Sequence, residues 1–358
     1  MLFLCDAMLG KVKYPFKNLV FEGGGVRAYV YHGALRVFDE YGILPRIERV
    51  AGTSAGALQA ALLAFGLSVD ETIALYKTMD NTRIRRPSVD DDAVRNGRLG
   101  RVRDNLTLAN RLINRFGLYS NQYLQSWLQE IIAQHCGGNG RATFADFRAR
   151  GLRDLYIIAV NITRRRTEIF SADTTPNVSV ADAVVMSSSI PFFFEAVQFD
   201  GKSLGQGDYY IDGGAQNNYP LTIFDDPRFR RGSRHFTYGV NWETLGCQQY
   251  TPEDCDPERD EISNIFQYAE SIIGTLSEGP KVAVDMRLVD RLRTIRIKNC
   301  CVSTTDFDIV VDEMHPIYRK MVAAGAQAAH TYLENYRLPT DRFAEVKEKL
   351  ADLLDWRQ

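Results

Sequence analysis

One serine lies in a sequence context that is typical of a catalytic nucleophile. Gly52-Thr53-Ser54-Ala55-Gly56 follows a short strand predicted over Glu48 to Ala51 and precedes a strongly helix-forming run, Ala57 to Leu63. The pattern G-x-S-x-G between a strand and a helix is a nucleophile elbow, in which a strained turn exposes the serine hydroxyl and the flanking glycines make room. Ser54 is therefore predicted to form a covalent intermediate with a carbonyl substrate.

A second glycine-rich turn lies upstream, where a predicted strand gives way to a predicted helix. Its sequence is Gly23-Gly24-Gly25, and Arg27 stands two residues after the last glycine. Backbone N–H groups at the start of a helix form a natural anion site. Gly23, Gly24 and Gly25 are therefore predicted to stabilise the oxyanion of a tetrahedral intermediate. Arg27 is expected either to steady this loop or to bind phosphate.

Serine needs a base to accept its proton, and most serine hydrolases use a histidine for this step. The chain has five histidines, and the order Ser…Asp…His would require one of the last three, of which His235 comes first. None of those three lies in a glycine-rich or strand-end setting. Asp212 does, because it ends a β-rich run and precedes Gly213 and Gly214, which allow a close approach to another loop.

Together the three motifs resemble those of the patatin-like phospholipase family, including its bacterial-type acyl hydrolases. That family joins a G-G-G-x-[K/R] oxyanion loop, a G-x-S-x-G nucleophile and a D-G-[G/A] base motif, and the motifs occur here in the same order. The resemblance covers roughly residues 17–220. It implies a Ser–Asp dyad, in which Asp212 accepts the Ser54 proton and then activates the water that releases the acyl group.

The chain departs from the family pattern at a few positions. Glu22 stands where many relatives have aspartate, and Ala28 where they often have glycine. In such proteins a segment similar to A-S-x-A-I-P precedes the base and lines the acyl pocket, and Ser187 to Pro191 matches it only in part. The phenylalanines that follow, Phe192 to Phe194, allow two interpretations: the wall of an apolar pocket or ordinary core packing.

The resemblance implies hydrolysis of acyl esters in phospholipids, lysophospholipids or neutral glycerolipids, and with it a lipid substrate and transient contact with a membrane surface. The sequence shows no EF-hand loop and no aspartate-rich calcium ligand set, and a Ser–Asp dyad needs no metal, so no cofactor is predicted. The segment from Asn81 to Phe116 holds nine arginines against four aspartates. A solvated surface is the preferred interpretation of this charge, and the alternative is a lid or a contact for anionic or zwitterionic lipid headgroups.

Composition restricts the class of protein. The chain has 358 residues, of which 45% are hydrophobic and 25% charged, as in a soluble globular protein, and a net charge of −2 does not favour nucleic acid as a partner. No run approaches the length of a membrane span and no secretory leader is recognisable, so we predict a cytoplasmic protein with peripheral membrane contact. The six cysteines form no C-x-x-C pair, and scattered reduced thiols are expected.

Helices that alternate with short apolar strands predict an α/β fold, with a mostly parallel central sheet flanked by helices. We expect one patatin-like hydrolase domain over residues 1–358, with a basic insertion or lid at about 81–116 and a helical C-terminal extension at about 312–358. The run Phe236 to Trp242 is predicted to be a further strand of the sheet. Cys247 to Asp260 is expected to be an acidic loop.

Three other interpretations stay open. A dinucleotide-binding turn would need glycine at position 28, where Ala28 stands, and it would leave Ser54 and Asp212 without a role. An acyltransferase would use the same acyl-enzyme with another acceptor in place of water. A regulatory protein on a hydrolase fold, or an enzyme that requires an activator, would carry the same motifs and show no turnover in a simple assay.

Overall fold

The structure is a computed structural model, and it describes residues 14–84, 110–231, 233–237, 239–255 and 287–337, together with residues 262, 268 and 272. The strands in these residues are β1 (Asn18–Phe21), β2 (Arg49–Thr53), β3 (Gly117–Tyr119), β4 (Asp154–Asn161), β5 (Arg166–Ser171), β6 (Phe192–Phe194), β7 (Val197–Phe199), β8 (Asp208–Asp212), β9 (Phe236–Thr237), β10 (Val240–Asn241), β11 (Thr244–Tyr250) and β12 (Thr294–Lys298). The α-helices are α1 (Val30–Glu40), α2 (Ala55–Ala64), α3 (Val69–Lys77), α4 (Gln122–His135), α5 (Phe144–Ala149), α6 (Val180–Ser187), α7 (Gly214–Asn217), α8 (Leu288–Arg291) and α9 (Pro316–Glu334).

Eight of the strands form the central sheet, in the order β12-β11-β1-β2-β4-β8-β7, with β5 paired to β4 as well. The pairs that join β12, β11, β1, β2 and β4 are parallel, whereas β5, β7 and β8 run antiparallel to their neighbours. The prediction of an α/β fold with a mostly parallel sheet is confirmed. Because β1 and β2 are adjacent and parallel, the turns that follow them lie at the same edge of the sheet.

The sheet contains β11, which we did not predict. Residues from Cys247 onward were expected to form an acidic loop, but Thr244–Tyr250 pairs with both β1 and β12. Phe236–Trp242 was expected to supply the sheet strand, and it forms instead the separate two-stranded pair of β9 and β10. The strand β11 was missed because it contains a glycine, a residue depleted in strands, and two polar glutamines.

The first helix of the predicted C-terminal extension belongs to the core. The helix α9 packs along α1 at very short range: a methyl group on Gly33 would collide with the Val322 carbonyl, and one on Gly325 with the Val30 carbonyl. Glycine at both positions therefore permits the crossing. The second helix predicted there, over residues 343–356, lies outside the described residues, as does most of the predicted basic insertion, residues 85–109.

The expectation that all cysteines are reduced is wrong for one pair, since Cys255 and Cys301 form a disulfide. The two residues are 46 positions apart, and nothing in the sequence spacing links them. Cys136, Cys247 and Cys300 are free thiols, and Cys5 lies outside the described residues. Within the described part of the chain, no helix has the length and apolar character needed to cross a bilayer.

Candidate active site

Ser54 stands between the end of β2 and the start of α2, in a backbone conformation that side chains rarely adopt (φ 55°, ψ −126°). The strand and helix approach each other closely at this turn. A methyl group on Gly52 would collide with the Gly56 carbonyl, and one on Gly56 would collide with the Phe21 carbonyl of β1. The two glycines are therefore required by packing, as the elbow motif predicts.

A buried hydroxyl supports the strained turn. The Ser54 N–H donates to Ser187 Oγ at 2.8 Å, and Ser187 Oγ donates in turn to the Ile158 carbonyl of β4 at 2.6 Å. Ser187 is completely buried at the end of α6. Its hydroxyl thus acts as acceptor and donor at once, and fixes the nucleophile peptide to the neighbouring strand.

Asp212 ends β8, where it lies opposite Ala159 of β4 and is 5% exposed. Its carboxylate accepts a hydrogen bond from the Gly214 N–H at 2.7 Å, and the Ser54 hydroxyl lies close enough to interact with it. Burial raises the pKa of Asp212 to about 7, and the interactions with Ser54 and Gly214 offset part of that rise. A carboxylate with such a pKa is a much better base at neutral pH than an ordinary aspartate.

The segment that carries Ser187 also positions Asp212. The Asp212 N–H donates to the Ser189 carbonyl at 2.8 Å, and the Gly213 N–H donates to the Ser187 carbonyl at 3.3 Å. A methyl group on Gly213 would collide with the Ile158 carbonyl, so only glycine allows this approach. Residues 187–189 therefore hold the nucleophile and the carboxylate in one hydrogen-bonded unit.

The oxyanion loop follows β1, as predicted, but its three glycines are not equivalent. The Gly23 N–H donates to the Asn218 carbonyl at 3.0 Å, and Asn218 Nδ2 donates back to the Gly23 carbonyl at 3.1 Å. The geometry thus assigns Gly23 to holding the loop against the base motif. For the N–H groups of Gly24 and Gly25 we find no acceptor among the described residues, so these two are the available donors.

Arg27 contacts the loop that follows β12. Its Nε donates to the Val302 carbonyl at 2.7 Å, and the neighbouring Val26 N–H donates to the Thr304 carbonyl at 3.1 Å. Gly25 adopts a left-handed conformation (φ 54°) and packs directly against Thr304, where a side chain would not fit. The loop around residues 302–304 therefore supports the oxyanion loop, and the contact of Arg27 with Val302 is consistent with the first of its two expected functions, that of steadying this loop.

A second carboxylate lies beneath the oxyanion loop. Glu22 accepts hydrogen bonds from the Gln249 N–H at 2.7 Å and from Gln248 Nε2 at 3.3 Å. The residue as a whole is half-buried, but the surrounding protein withdraws its carboxylate from water and raises its pKa to about 7. Gln249 Nε2 also donates to the Tyr31 hydroxyl at 2.8 Å, and this hydroxyl donates to the Glu22 carbonyl oxygen at 2.8 Å.

The five histidines make their contacts elsewhere. His32 is fully buried beside the Tyr318 hydroxyl at 2.9 Å, and burial lowers its pKa to about 3. His315 caps α9, and His330 lies 3.7 Å from Glu40. His135 packs on Phe65, and the His235 N–H donates to Ser233.

An apolar cavity of about 80 Å³ opens beside Ser54. It lies between the oxyanion loop and the chain around β6, and its walls include Leu58, Ile190, Phe194 and Phe307. The three phenylalanines of β6 differ in role: Phe194 lines the cavity, Phe193 packs on Phe307, and Phe192 is 41% exposed. Both interpretations of this run therefore apply, to different residues.

Sequence reasoning missed the residues that hold the site together. Ser187 stood in a recognised segment, but nothing in a run of three serines indicates which one bonds to the nucleophile. Asn218 lies close after the base motif, and that proximity was the available signal. Gln249 and Thr304 lie far along the chain, and only the sheet pairing of β11 and β12 brings them to the oxyanion loop.

Within the described residues, no group of three or more histidine, cysteine, aspartate or glutamate side chains could hold a metal ion.

Known proteins resemble this chain in sequence and in fold. The sequence profile of the family described as patatin-like phospholipase matches residues 19–225. The chain is 28% identical to the uncharacterized protein R571 of Acanthamoeba polyphaga mimivirus over 82% of this chain and 86% of that one. It is 26% identical to the probable lipid hydrolase 463L of Invertebrate iridescent virus 6 over 60% and 64%. The crystal structure of VipD from Legionella pneumophila superimposes with a TM-score of 0.54 at 18% identity, over 90% of this chain and 67% of VipD, which shows a shared fold.

The substitution Ser187→Ala tests the support of the elbow. It leaves the Ser54 N–H and the Ile158 carbonyl buried without this partner, so we expect a loss of about 1–3 kcal/mol in the free energy of unfolding. We also expect turnover of a short-chain chromogenic ester to fall at least about tenfold, because a misplacement of about 1 Å has large effects on rate.

The control is Ser189→Ala. Ser189 is equally buried and also both accepts and donates, with Asn121 Nδ2 at 2.9 Å and the Val185 carbonyl at 2.6 Å. It should lose similar stability and much less turnover. Equal losses of turnover in the two variants, compared by urea unfolding and steady-state kinetics, would contradict the positioning role of Ser187.

Proposed function

Because this chain belongs to the patatin-like phospholipase family, we propose that it is a lipid acyl hydrolase of the phospholipase A or lysophospholipase type. In this proposal Ser54 and Asp212 form a catalytic dyad that acts through an acyl-enzyme. The observation that carries the proposal is the placement of the Ser54 hydroxyl beside the buried carboxylate of Asp212, at the mouth of an apolar cavity.

Acylation would begin when Asp212 accepts the Ser54 proton as Ser54 Oγ attacks the ester carbonyl. The tetrahedral intermediate then collapses: the bond to the leaving alcohol breaks, and protonated Asp212 returns the proton to the alcohol oxygen. A water molecule repeats the sequence on the acyl-enzyme, with Asp212 as base, and releases the fatty acid and the free Ser54 hydroxyl. A pKa of about 7 for Asp212 suits both acylation and deacylation, since its carboxyl group must accept and return a proton near neutral pH in each step.

The negative charge of each tetrahedral intermediate would be stabilised by backbone donors. Gly24 and Gly25 supply N–H groups at the start of a helical segment, and Gly25 lines the same cavity as Ser54. In well-studied serine hydrolases, the loss of one oxyanion donor costs about 2.7–4 kcal/mol of transition-state stabilisation. The clamp of Gly23 by Asn218 supports this proposal, because it preorganises the loop before substrate arrives.

The cavity supports an acyl chain as the part of the substrate that is bound. Its walls are almost entirely apolar side chains, which favour a hydrocarbon tail over a sugar or a peptide. The relative from Invertebrate iridescent virus 6, which is named a probable lipid hydrolase, agrees with this substrate class. We further propose that the enzyme works in transient contact with a membrane surface, where such lipids are found.

The dyad is tested by ester hydrolysis in Ser54→Ala, Asp212→Asn and His235→Ala. We expect the first two to lose at least about 1,000-fold in kcat, as when a nucleophile or base is removed from other serine hydrolases. The third should retain nearly full activity, because His235 makes its contacts elsewhere. Turnover is measured on a chromogenic butyrate ester and on phospholipid vesicles. If His235→Ala is folded and as inactive as Ser54→Ala, a histidine-dependent mechanism replaces the dyad.

The pH dependence of the reaction follows from the raised pKa of Asp212. Below about pH 7 the carboxyl is protonated and cannot accept the serine proton, so kcat/KM on the soluble ester should rise about tenfold per pH unit. Above about pH 7 the carboxylate is ionised and the rate should level off. The measurement is a pH profile of kcat/KM between mildly acidic and mildly alkaline buffers.

The variant Glu22→Gln controls for the second carboxyl with a pKa of about 7. Glutamine keeps an acceptor for the Gln249 N–H and removes the titration. The profile should therefore keep its midpoint in this variant. If the midpoint disappears in Glu22→Gln, the titration belongs to Glu22, and the assignment of Asp212 as the base is contradicted.

A further inference from the structure

Four large apolar side chains are exposed at the edge of the sheet where the cavity lies. We call them the apolar rim: Ile113, Phe116, Ile162 and Phe192, which are 72%, 50%, 42% and 41% exposed. Ile113 lies in the helical turn that ends at residue 115, three residues before Phe116. Such a cluster on a protein surface marks an interaction site more often than isolated apolar residues do.

Contacts bring three members of the apolar rim, Phe116, Ile162 and Phe192, close together. The Phe116 and Tyr209 rings meet edge to face, with centroids 5.7 Å apart. The Ile162 N–H donates to the Tyr209 carbonyl at 2.9 Å, which brings Ile162 to the same residue. Phe192 pairs with Gly117, the residue after Phe116, where β6 joins β3.

The backbone holds two of these side chains outward under strain. Phe116 has a φ of 59° and Phe192 a φ of 65°, the left-handed region in which a bulky residue is a genuine outlier. Glycine or asparagine would adopt both conformations with less strain. A phenylalanine at each position is therefore unfavourable for folding alone, which points to a role for the exposed rings.

The apolar rim is continuous with the site. Asp212 pairs with Ala159 of β4, and Asn161 ends that strand two residues, or about 7 Å, further toward the carboxyl edge. Ile162 follows Asn161. It therefore lies beyond Asp212 in the direction in which β4 runs, at the edge of the sheet that carries the site. On the other side, β6 begins at Phe192 in the apolar rim and ends at Phe194 in the cavity wall.

Arginines flank the apolar rim. The turn after Ile162 carries Arg164, Arg165 and Arg166, which are exposed, and Arg115 lies beside Phe116 with 62% of its side chain exposed. Arg164 pairs with Asp208 and Arg166 with Glu168, but Arg165 has no carboxylate partner among the described residues. Apolar side chains that insert, bordered by cations that stay at the surface, are the chemistry of an interfacial lipid-binding face.

We propose that the apolar rim and the arginine turn form the face by which this protein binds the surface of a phospholipid bilayer that contains anionic lipid. The exposed phenylalanines insert at the level of the headgroups, while Arg165 contacts lipid phosphate. The proposal rests on the proposed function of the Ser54–Asp212 site, because this face would bring the cavity mouth to its substrate. It adds the orientation of the protein on the membrane.

Binding is measured by co-sedimentation with vesicles of phosphatidylcholine, with and without phosphatidylserine. All variants carry Ser54→Ala, so that no lipid is hydrolysed and binding is scored whether or not the proposed function holds. The test variant Phe116→Gly/Phe192→Gly should reduce partitioning at least about tenfold, as expected when two aromatic side chains no longer insert. Arg165→Gly should reduce it about fivefold, and only on the vesicles that contain phosphatidylserine.

Two controls accompany these variants. Leu288→Asn alters an apolar side chain that is 69% exposed. Leu288 precedes β12, the outermost strand on one side of the sheet, so this variant should bind vesicles like the protein that carries only Ser54→Ala. Phe116→Asn/Phe192→Asn repeats the test with residues that also tolerate the left-handed region. With Ser54 restored, both double variants should hydrolyse the soluble butyrate ester at the wild-type rate, which shows that the site is intact.

Undiminished vesicle binding in both double variants would overturn the proposal. So would a wild-type protein that hydrolyses dispersed lipid but does not sediment with either vesicle. A dimer in size-exclusion chromatography that dissociates in the double variants, with vesicle binding unchanged, would assign the apolar rim to a second copy of the chain instead.

Discussion

The site depends on one buried hydroxyl. Ser187 Oγ lies between the Ser54 N–H and the Ile158 carbonyl, and so connects the nucleophile peptide to the sheet. A residue in a sparsely populated backbone region costs of order 1–3 kcal/mol, and it persists only when its surroundings fix it. The carbonyl of the same residue accepts the Gly213 N–H, so a single turn at the end of α6 sets the relative position of Ser54 and Asp212.

The family profile ends at residue 225, but the chain beyond this residue also supports the oxyanion loop and the cavity. The strand β11 pairs with β1 along its length and brings Gln249 beneath Glu22. The loop after β12 supplies the carbonyls that hold Val26 and Arg27, and Phe307 joins the cavity wall. The oxyanion loop is thus held from two sides, by Asn218 within the matched region and by the C-terminal part of the chain.

The proposed catalytic residues could be recognised from sequence because their chemistry constrains the local pattern. The elbow needs glycine on both sides of the serine, and Gly52 and Gly56 each stand two residues from Ser54. The supporting residues carry no such pattern. Ser187 is one serine of three consecutive serines. The two glutamines of β11 are typical of a loop in sequence, and only the structure shows that Gln248 and Gln249 donate hydrogen bonds to Glu22.

The glycine triplet and the cysteines also have partners that are distant along the chain and that the sequence does not indicate. A glycine triplet indicates a tight turn, but only the fold shows that Asn218 already occupies the Gly23 N–H. Likewise, Cys255 and Cys301 are far apart along the chain, and the fold brings them close enough to form a disulfide. Local constraint is visible in sequence, whereas partners distant along the chain depend on topology.

The most direct test of the account is to label the protein with a fluorophosphonate and map the adduct by mass spectrometry. This reagent reports an activated serine without any assumption about the lipid. The account expects stoichiometric modification of Ser54 in the wild type, and labelling at least about 100-fold slower in Asp212→Asn, which lacks the base. Labelling of another serine, or an unchanged rate in Asp212→Asn, would contradict the dyad.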